Sequence, residues 1–227
     1  MNRIPGLLMF LLLLLPMGTL WAKSDQEAKV SEVVGVLEAI NKIPEAKIPP
    51  ALLDNAEGIA IIPNVVKVGF VIGGRYGKGV VSVRQANGAW GNPVFLSIKG
   101  GSVGWQIGAQ STDIILVFKS KKSIDGIING KFTLGLDAAV AAGPVGRNAS
   151  ASTDAQLKAE IYSYSRSRGL FAGLSLQGAA LKIQNADNVN YYKEFDITAS
   201  QIFSGANKNN PASATALKSL LGEYARQ

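Results

Sequence analysis

The stretch GIAIIPNVVKVGFVIGGRYGKGVVSVR, residues 58–84, decides the architecture. Its apolar residues come in short or alternating runs punctuated by glycine, the texture of strands rather than of a helix. The same texture continues through NPVFLSIKGGSVGWQIGA, TDIILVF, KFTLGLDAAVAAGPVG and YSYSRSRGLFAGLSLQG, so a β core is expected over 58–184. Between the runs ending at Arg84 and starting near Trp90, Asn87-Gly88 supplies two residues that tolerate positive φ, a hairpin signal. Twenty of the 25 glycines fall between Gly58 and Gly178. Glycine inside a strand costs entropy, so its repetition points to bulges, bends or backbones in close approach, as in a curled or closed sheet. KKSIDGIING interrupts this block as a short helix and turn.

Helices are expected on either side. Ser24 and Glu27 form an S-x-x-E capping box, and Val30, Val33, Val34, Leu37 and Ile40 then share one face, which predicts a helix over 24–43. Its polar side mixes Glu27, Glu32 and Glu38 with Lys29 and Lys42, which suits packing on a core better than lying on an anionic bilayer. Ala51 to Ala56 allows a short second helix. Pro211 behind Asn210, followed by Leu217, Leu220, Leu221 and Tyr224, predicts a closing helix over 211–225. The fold class expected is therefore α+β: a glycine-rich, mainly antiparallel or barrel-like sheet flanked by N- and C-terminal helices, in one domain over 23–227.

The first 22 residues read differently. Arg3 precedes the apolar run Leu7 to Leu15, and Gly18, Thr19 and a Leu20-Trp21-Ala22 end follow, the pattern of a secretory signal peptide. The run is short against the roughly 20 residues that span a bilayer. Export to the periplasm or the extracellular space is expected, with the protein free or peripheral on a membrane. The chain has no cysteine, hence no disulfide, thiolate or lipidated cysteine, and no histidine, the commonest acid/base group and transition-metal ligand.

No catalytic motif remains. Gly77-Lys78 is followed by Gly79 where a phosphate loop needs Ser or Thr, and Ser82 stands where a dinucleotide fingerprint needs its last glycine. There is no G-x-S-x-G elbow and no H-E-x-x-H zinc site. Asp113 reads as a cap or ion-pair partner. The chain is expected not to be an enzyme and to need no cofactor or metal.

Charge is the informative signal. The precursor carries +7, and the segment from Val65 to Lys122 accounts for it, with eight lysines and arginines against Asp113 alone. Such a segment is an electrostatic footprint for an acidic partner or a solvated face. Arginines also recur beside small residues, in GGR ending at Arg75, GPVGR ending at Arg147 and SRSRG with Arg166 and Arg168. Small residues let backbone N–H groups approach an anion while arginine adds a planar fork for phosphate oxygens. Arg166 and Arg168 stand in line with Tyr162 and Tyr164, which on a half-exposed strand makes an Arg-Tyr face suited to a lipid headgroup boundary. Pairing with Asp137 or Asp187 is the alternative for these two arginines. No nucleic-acid motif accompanies the charge.

The segments GIAIIPNVVKVGFVIGGRYGKGVVSVR, GAWGNPVFLSIKGGSVGWQIGAQSTDIILVF, LGLDAAVAAGPVGR and AEIYSYSRSRGLFAGLSLQG, followed by YYKEF, resemble the SYLF domain in order from about Ala28 to Gly205. The resemblance implies binding of phosphoinositides or other acidic phospholipids and, as in some eukaryotic relatives, of actin. It brings Arg75, Arg147, Arg166 and Arg168, with Lys67 and Lys78 nearby, forward as lipid- or phosphate-binding candidates. The partner expected is an acidic phospholipid surface; the alternative is an acidic protein or polymer. The export signal shifts the lipid expectation toward envelope phospholipids.

Overall fold

A computed structural model describes residues 24–44, 47–130, 132–145, 159–165 and 176–226, with backbone alone at 69–72 and 102–110. The expected signal peptide lies outside the described residues. Helix α1, Asp25–Asn41, starts where its cap predicts: the Glu27 N–H donates to Ser24 Oγ at 3.2 Å. Its buried face is Val30, Val33, Val36, Leu37 and Ile40. Helix α2, Pro50–Asp54, leads into strand β1, Gly58–Val83, which pairs antiparallel with β2, Val94–Phe118.

These two strands, 26 and 25 residues long, are one hairpin. Its turn is the predicted one: Gly88 has φ 82°, and the Gln85 N–H reaches Ala89 O at 2.8 Å. The runs that read as separate short strands are therefore continuous. Pro63 does not end β1, because it lies in a register shift between Ile62 and Val65 where no ladder N–H is required. The neighbouring Asn64 takes φ 49° and gives its N–H to Asp113 Oδ1 at 3.0 Å. A second shift lies between Gly69 and Val71.

Helix α3, Lys121–Ile128, follows, then β3, Phe132–Thr133, β4, Val140–Ala142, β5, Ile161–Tyr164, and β6, Ala180–Ile183. On the edge of β2 opposite β1, β6 pairs with Leu96–Lys99 and β5 with Ile115–Phe118. Among the described strands, β4 and β5 pair parallel and the other pairs are antiparallel. NVNYYKEF and TASQIFSG form helices α4, Asn185–Tyr192, and α5, Ala199–Ser204. Helix α6, Ala212–Ala225, closes the chain behind Pro211 and packs on α1, which itself lies on β1. The α+β class and flanking helices are as expected.

Glycine shapes the curl of the hairpin. A Cβ on Gly79 would stand 2.1 Å from Ile61 O and 2.7 Å from Ile62 Cα, so the two halves of β1 meet backbone to backbone there. The Arg84 N–H donates to Glu57 O at 2.8 Å, joining the start of β1 to its end. The hairpin thus folds over on itself, with its turn and termini at a closed base and residues near 66–76 and 99–111 at the bend.

Candidate functional site

At the bend, alternation along the strands sorts the side chains. A Cβ on Gly77 would meet Val65 Cγ2 at 2.7 Å, so Val65 and Gly77 face each other inside the curl. Two residues toward the bend on each arm stand Lys67 and Arg75, on the same inward faces and only half-buried. Two of the sequence-selected cations therefore stand on the inner faces of the curl, beside the bend. The Arg75 Nη2 donates to Gly101 O at a long 3.3 Å, while its buried Nε has no partner among the described residues. Burial lowers the Arg75 pKa from its ordinary value, yet a guanidinium remains charged at any physiological pH.

The outward faces of the bend are apolar and basic. Val66, Val68 and Tyr76 are 41%, 51% and 44% exposed. The ladder sets Lys99 directly opposite Tyr76, with Lys99 Nζ 5.4 Å from the ring centroid. The Tyr76–Lys99 pair was missed in the sequence, although the register running back from the Asn87-Gly88 turn carries it. From Val65 to Thr112 there is no aspartate or glutamate.

Other cations are committed to structure. Lys78 Nζ lies 2.9 Å from Asp187 Oδ2 on α4, and that hydrogen bond raises its pKa. Arg84 clamps the base: its guanidinium donates to the carbonyls of Leu53 at 2.6 Å, Gly88 at 2.8 Å and Ala56 at 3.3 Å, and lies 4.3 Å over Trp90. Arg147, Arg166 and Arg168 lie outside the described residues.

The expected tyrosine face requires correction. Tyr162 and Tyr164 are 2% and 4% exposed, because β5 is flanked by β2 and β4 and all four of its residues are buried. The Tyr164 hydroxyl donates to Pro144 O at 3.3 Å, and the Tyr162 hydroxyl accepts from the Ala159 N–H at 3.2 Å. Burial raises both phenol pKa values. These rings are core with satisfied polar ends, not a headgroup boundary. Asp113 is buried and serves Asn64, the capping role expected.

Among the described residues, grooves also open away from the bend. One, of 620 Å³, runs between the hairpin turn, α3 and α5; another, of 820 Å³, lies between α3, β6, α4 and α5. Neither contains a sequence-selected site residue.

Comparison with known proteins fixes the relationship. The family model for Ysc84, described as "Las17-binding protein actin regulator", matches residues 99–224. The chain belongs to the Ysc84 family. The SYLF resemblance and this family are the same. An SH3 domain-containing protein of Schizosaccharomyces pombe is 40% identical over 161 residues, covering 70% of this chain and 37% of its own length. The SH3 domain-containing YSC84-like protein 1 of Xenopus laevis is 33% identical over 185 residues, covering 81% and 55%. Protein YSC84 of Saccharomyces cerevisiae is 36% identical over 176 residues, covering 76% and 37%. This Ysc84-family chain thus spans a third to a half of these relatives. No solved structure matches it significantly.

Proposed function

We propose that the chain is a non-catalytic docking module that engages an acidic protein or polymer through the bend of its hairpin, with Lys67, Arg75 and Lys99 as the cations of the contact. The observation that carries this reading is the one-sided chemistry of the bend. Exposed Val66, Val68 and Tyr76 stand among cations on a stretch without a carboxylate. Exposed apolar side chains in a charged setting have the composition of an interaction surface. The family description, and a relative named LAS seventeen-binding protein 3 in Saccharomyces cerevisiae, support a protein partner of the actin-assembly class. The non-catalytic reading is supported by the same description.

A second reading, attachment to acidic phospholipid, is favoured by Arg75. The half-buried Arg75 guanidinium, whose Nε has no partner among the described residues, fits a phosphate that enters the curl from the bend. Basic residues near an anionic surface contribute about 1 kcal/mol each, so three would give weak, salt-sensitive attachment. In this reading Arg147, Arg166 and Arg168 add to the contact, and export after loss of residues 1–22 places it at the cell envelope.

One experiment separates the two: co-sedimentation of the purified chain with actin filaments and with neutral, phosphatidylglycerol-rich and cardiolipin-rich vesicles, at low and physiological salt. The docking reading expects pelleting with filaments, abolished in a folded K67E/K99E variant. Pelleting with anionic vesicles alone transfers the bend to lipid. Binding that survives the charge reversal overturns the bend as the contact.

A further inference from the structure

The chain contains two Asn-Gly dipeptides, Asn87-Gly88 and Asn129-Gly130, both exposed and both with glycine at positive φ. Chemically they are equal. Structurally they are not, and the difference bears on spontaneous deamidation, in which the glycine nitrogen attacks the asparagine side-chain carbonyl.

At Asn87 the attack is obstructed on both sides. Asn87 Oδ1 accepts the Ala89 N–H at 3.0 Å, an Asx-turn contact that ties the side-chain amide down and restricts its rotation toward an attack geometry. The Gly88 N–H donates to Gln85 O at 2.9 Å, Gln85 and Ala89 close the turn at 2.8 Å, and Arg84 Nη1 grips Gly88 O at 2.8 Å. Freeing the reactive pair means opening the closed base of the hairpin.

At Asn129 the restraints are fewer. Asn129 caps the C-terminus of α3 with φ −74° and ψ 0°, and its side-chain amide makes no hydrogen bond among the described residues. The Gly130 N–H is held by one bond, to Ile127 O at 3.1 Å, in the last turn of an eight-residue helix. Gly130, like Gly88, has open space where a Cβ would be, so the two sites differ in their hydrogen bonds and not in crowding. Helix ends open locally at low cost compared with a hairpin base.

We infer that Asn129-Gly130 is a site of spontaneous deamidation and isomerisation in the folded protein, and that the fold protects Asn87-Gly88 from the same reaction. The Gly130 nitrogen gives its proton to solvent base and bonds to Asn129 Cγ. The Cγ–Nδ2 bond breaks and ammonia leaves, forming a succinimide. Water then opens either ring carbonyl to give an aspartyl or isoaspartyl linkage, so the net change is one amide and one water to one carboxylic acid and one ammonia. The carboxylate appears at a helix C-terminus, where negative charge opposes the dipole. It also lines the 820 Å³ groove that contains Lys182. The isoaspartyl product lengthens the backbone at the cap that ends α3, whose Ile124 and Ile127 belong to the core.

The test is peptide mapping by mass spectrometry with isoaspartate detection, on the full chain aged in mildly alkaline buffer, folded and in denaturant. In denaturant both sites convert at similar rates. In the folded chain, product at 129 exceeds product at 87 at least several-fold. N129Q removes the first signal and leaves the second unchanged; G130A does the same where it folds. Equal conversion at the two sites, faster conversion at 87, or no product at 129 in the time the denatured chain converts would each overturn the inference.

Discussion

Replacing Gly79 by alanine tests the curl that creates the candidate site. The new Cβ would lie 2.1 Å from Ile61 O, 2.9 Å from Ile61 C and 2.7 Å from Ile62 Cα. All three are backbone atoms, so no side-chain rotation relieves the contact. Ordinary carbon contacts begin at roughly 3.5 Å, so the two halves of β1 must separate by about 1 Å. Overpacking typically costs about 1–3 kcal/mol and occasionally more, and a clash with fixed backbone belongs at or above the upper end. In a domain of this size about 3 kcal/mol lowers Tm by roughly 6–12 °C. Thermal unfolding followed by circular dichroism, with urea titration for the free energy, reads the effect. Gly74→Ala is the control: its Cβ meets nothing within 4 Å and its φ is not positive, so it leaves stability unchanged or slightly higher. A Gly79→Ala protein as stable as wild type would refute backbone contact between the arms of β1, and with it the placement of Lys67 and Arg75 on the inner faces of the curl.

Three further outcomes follow from the hydrogen bonds and the buried phenols. Arg84→Lys keeps the charge but loses the fork that reaches the Leu53, Ala56 and Gly88 carbonyls; urea unfolding should show a loss of about 2 kcal/mol. Lys78→Met should cost no more than about 1 kcal/mol, because the pair with Asp187 is partly exposed. Since the pair raises the Lys78 pKa, its contribution is complete below about pH 10.4 and fades as pH rises through the folded value, which chemical denaturation of wild type and variant against pH will show. Burial also raises the phenols of Tyr162, Tyr164, Tyr191 and Tyr192, Tyr191 to about 12. Above about pH 10 the unfolded chain therefore binds fewer protons than the folded one, and stability falls with rising pH. Phenolate absorbance of these residues should appear together with loss of circular dichroism; phenolate forming while the dichroism stays native would refute their burial.

The sequence carried the local parts of this fold well. Ser24 and Glu27 mark the start of α1, Pro211 that of α6, and Asn87-Gly88 the hairpin turn, because each depends on neighbours within a few residues. Glycine enrichment correctly indicated a curl, since Gly77 and Gly79 sit where the arms touch. The continuity of β1 through Pro63 and Asn64 was not legible. The αL turn at Asn64 is supported by Asp113, distant in sequence, and only the pairing of β1 with β2 brings that carboxylate near. The tyrosines show the same limit. Alternating Tyr and Ser at 162–165 reads as a half-exposed strand, but Tyr164 and Ser163 bury their hydroxyls by donating to Pro144 O and Ala141 O across the sheet. A polar tip that finds a backbone acceptor is compatible with the core, and sequence alternation does not report the acceptor.

The eight cations of the basic segment thus answer to different physics. Arg84 and Lys78 are held by carbonyls and a carboxylate at the base and flank of the hairpin, where their contribution is to stability. Lys67, Arg75 and Lys99 stand at the bend, where no carboxylate within the segment lies near them in sequence and the adjoining side chains are apolar and exposed. Gathering like charges raises the energy of the free protein slightly, a cost that an acidic partner reverses on contact. The closed base makes that gathering possible. With the arms fixed by Gly79 against Ile61 and by Arg84 against the carbonyls, the cations at the bend are presented on a preorganised scaffold rather than on a loop that must be ordered on binding. The glycines and the charges of residues 58–84 are therefore two halves of one design, the first setting the curvature and the second using it.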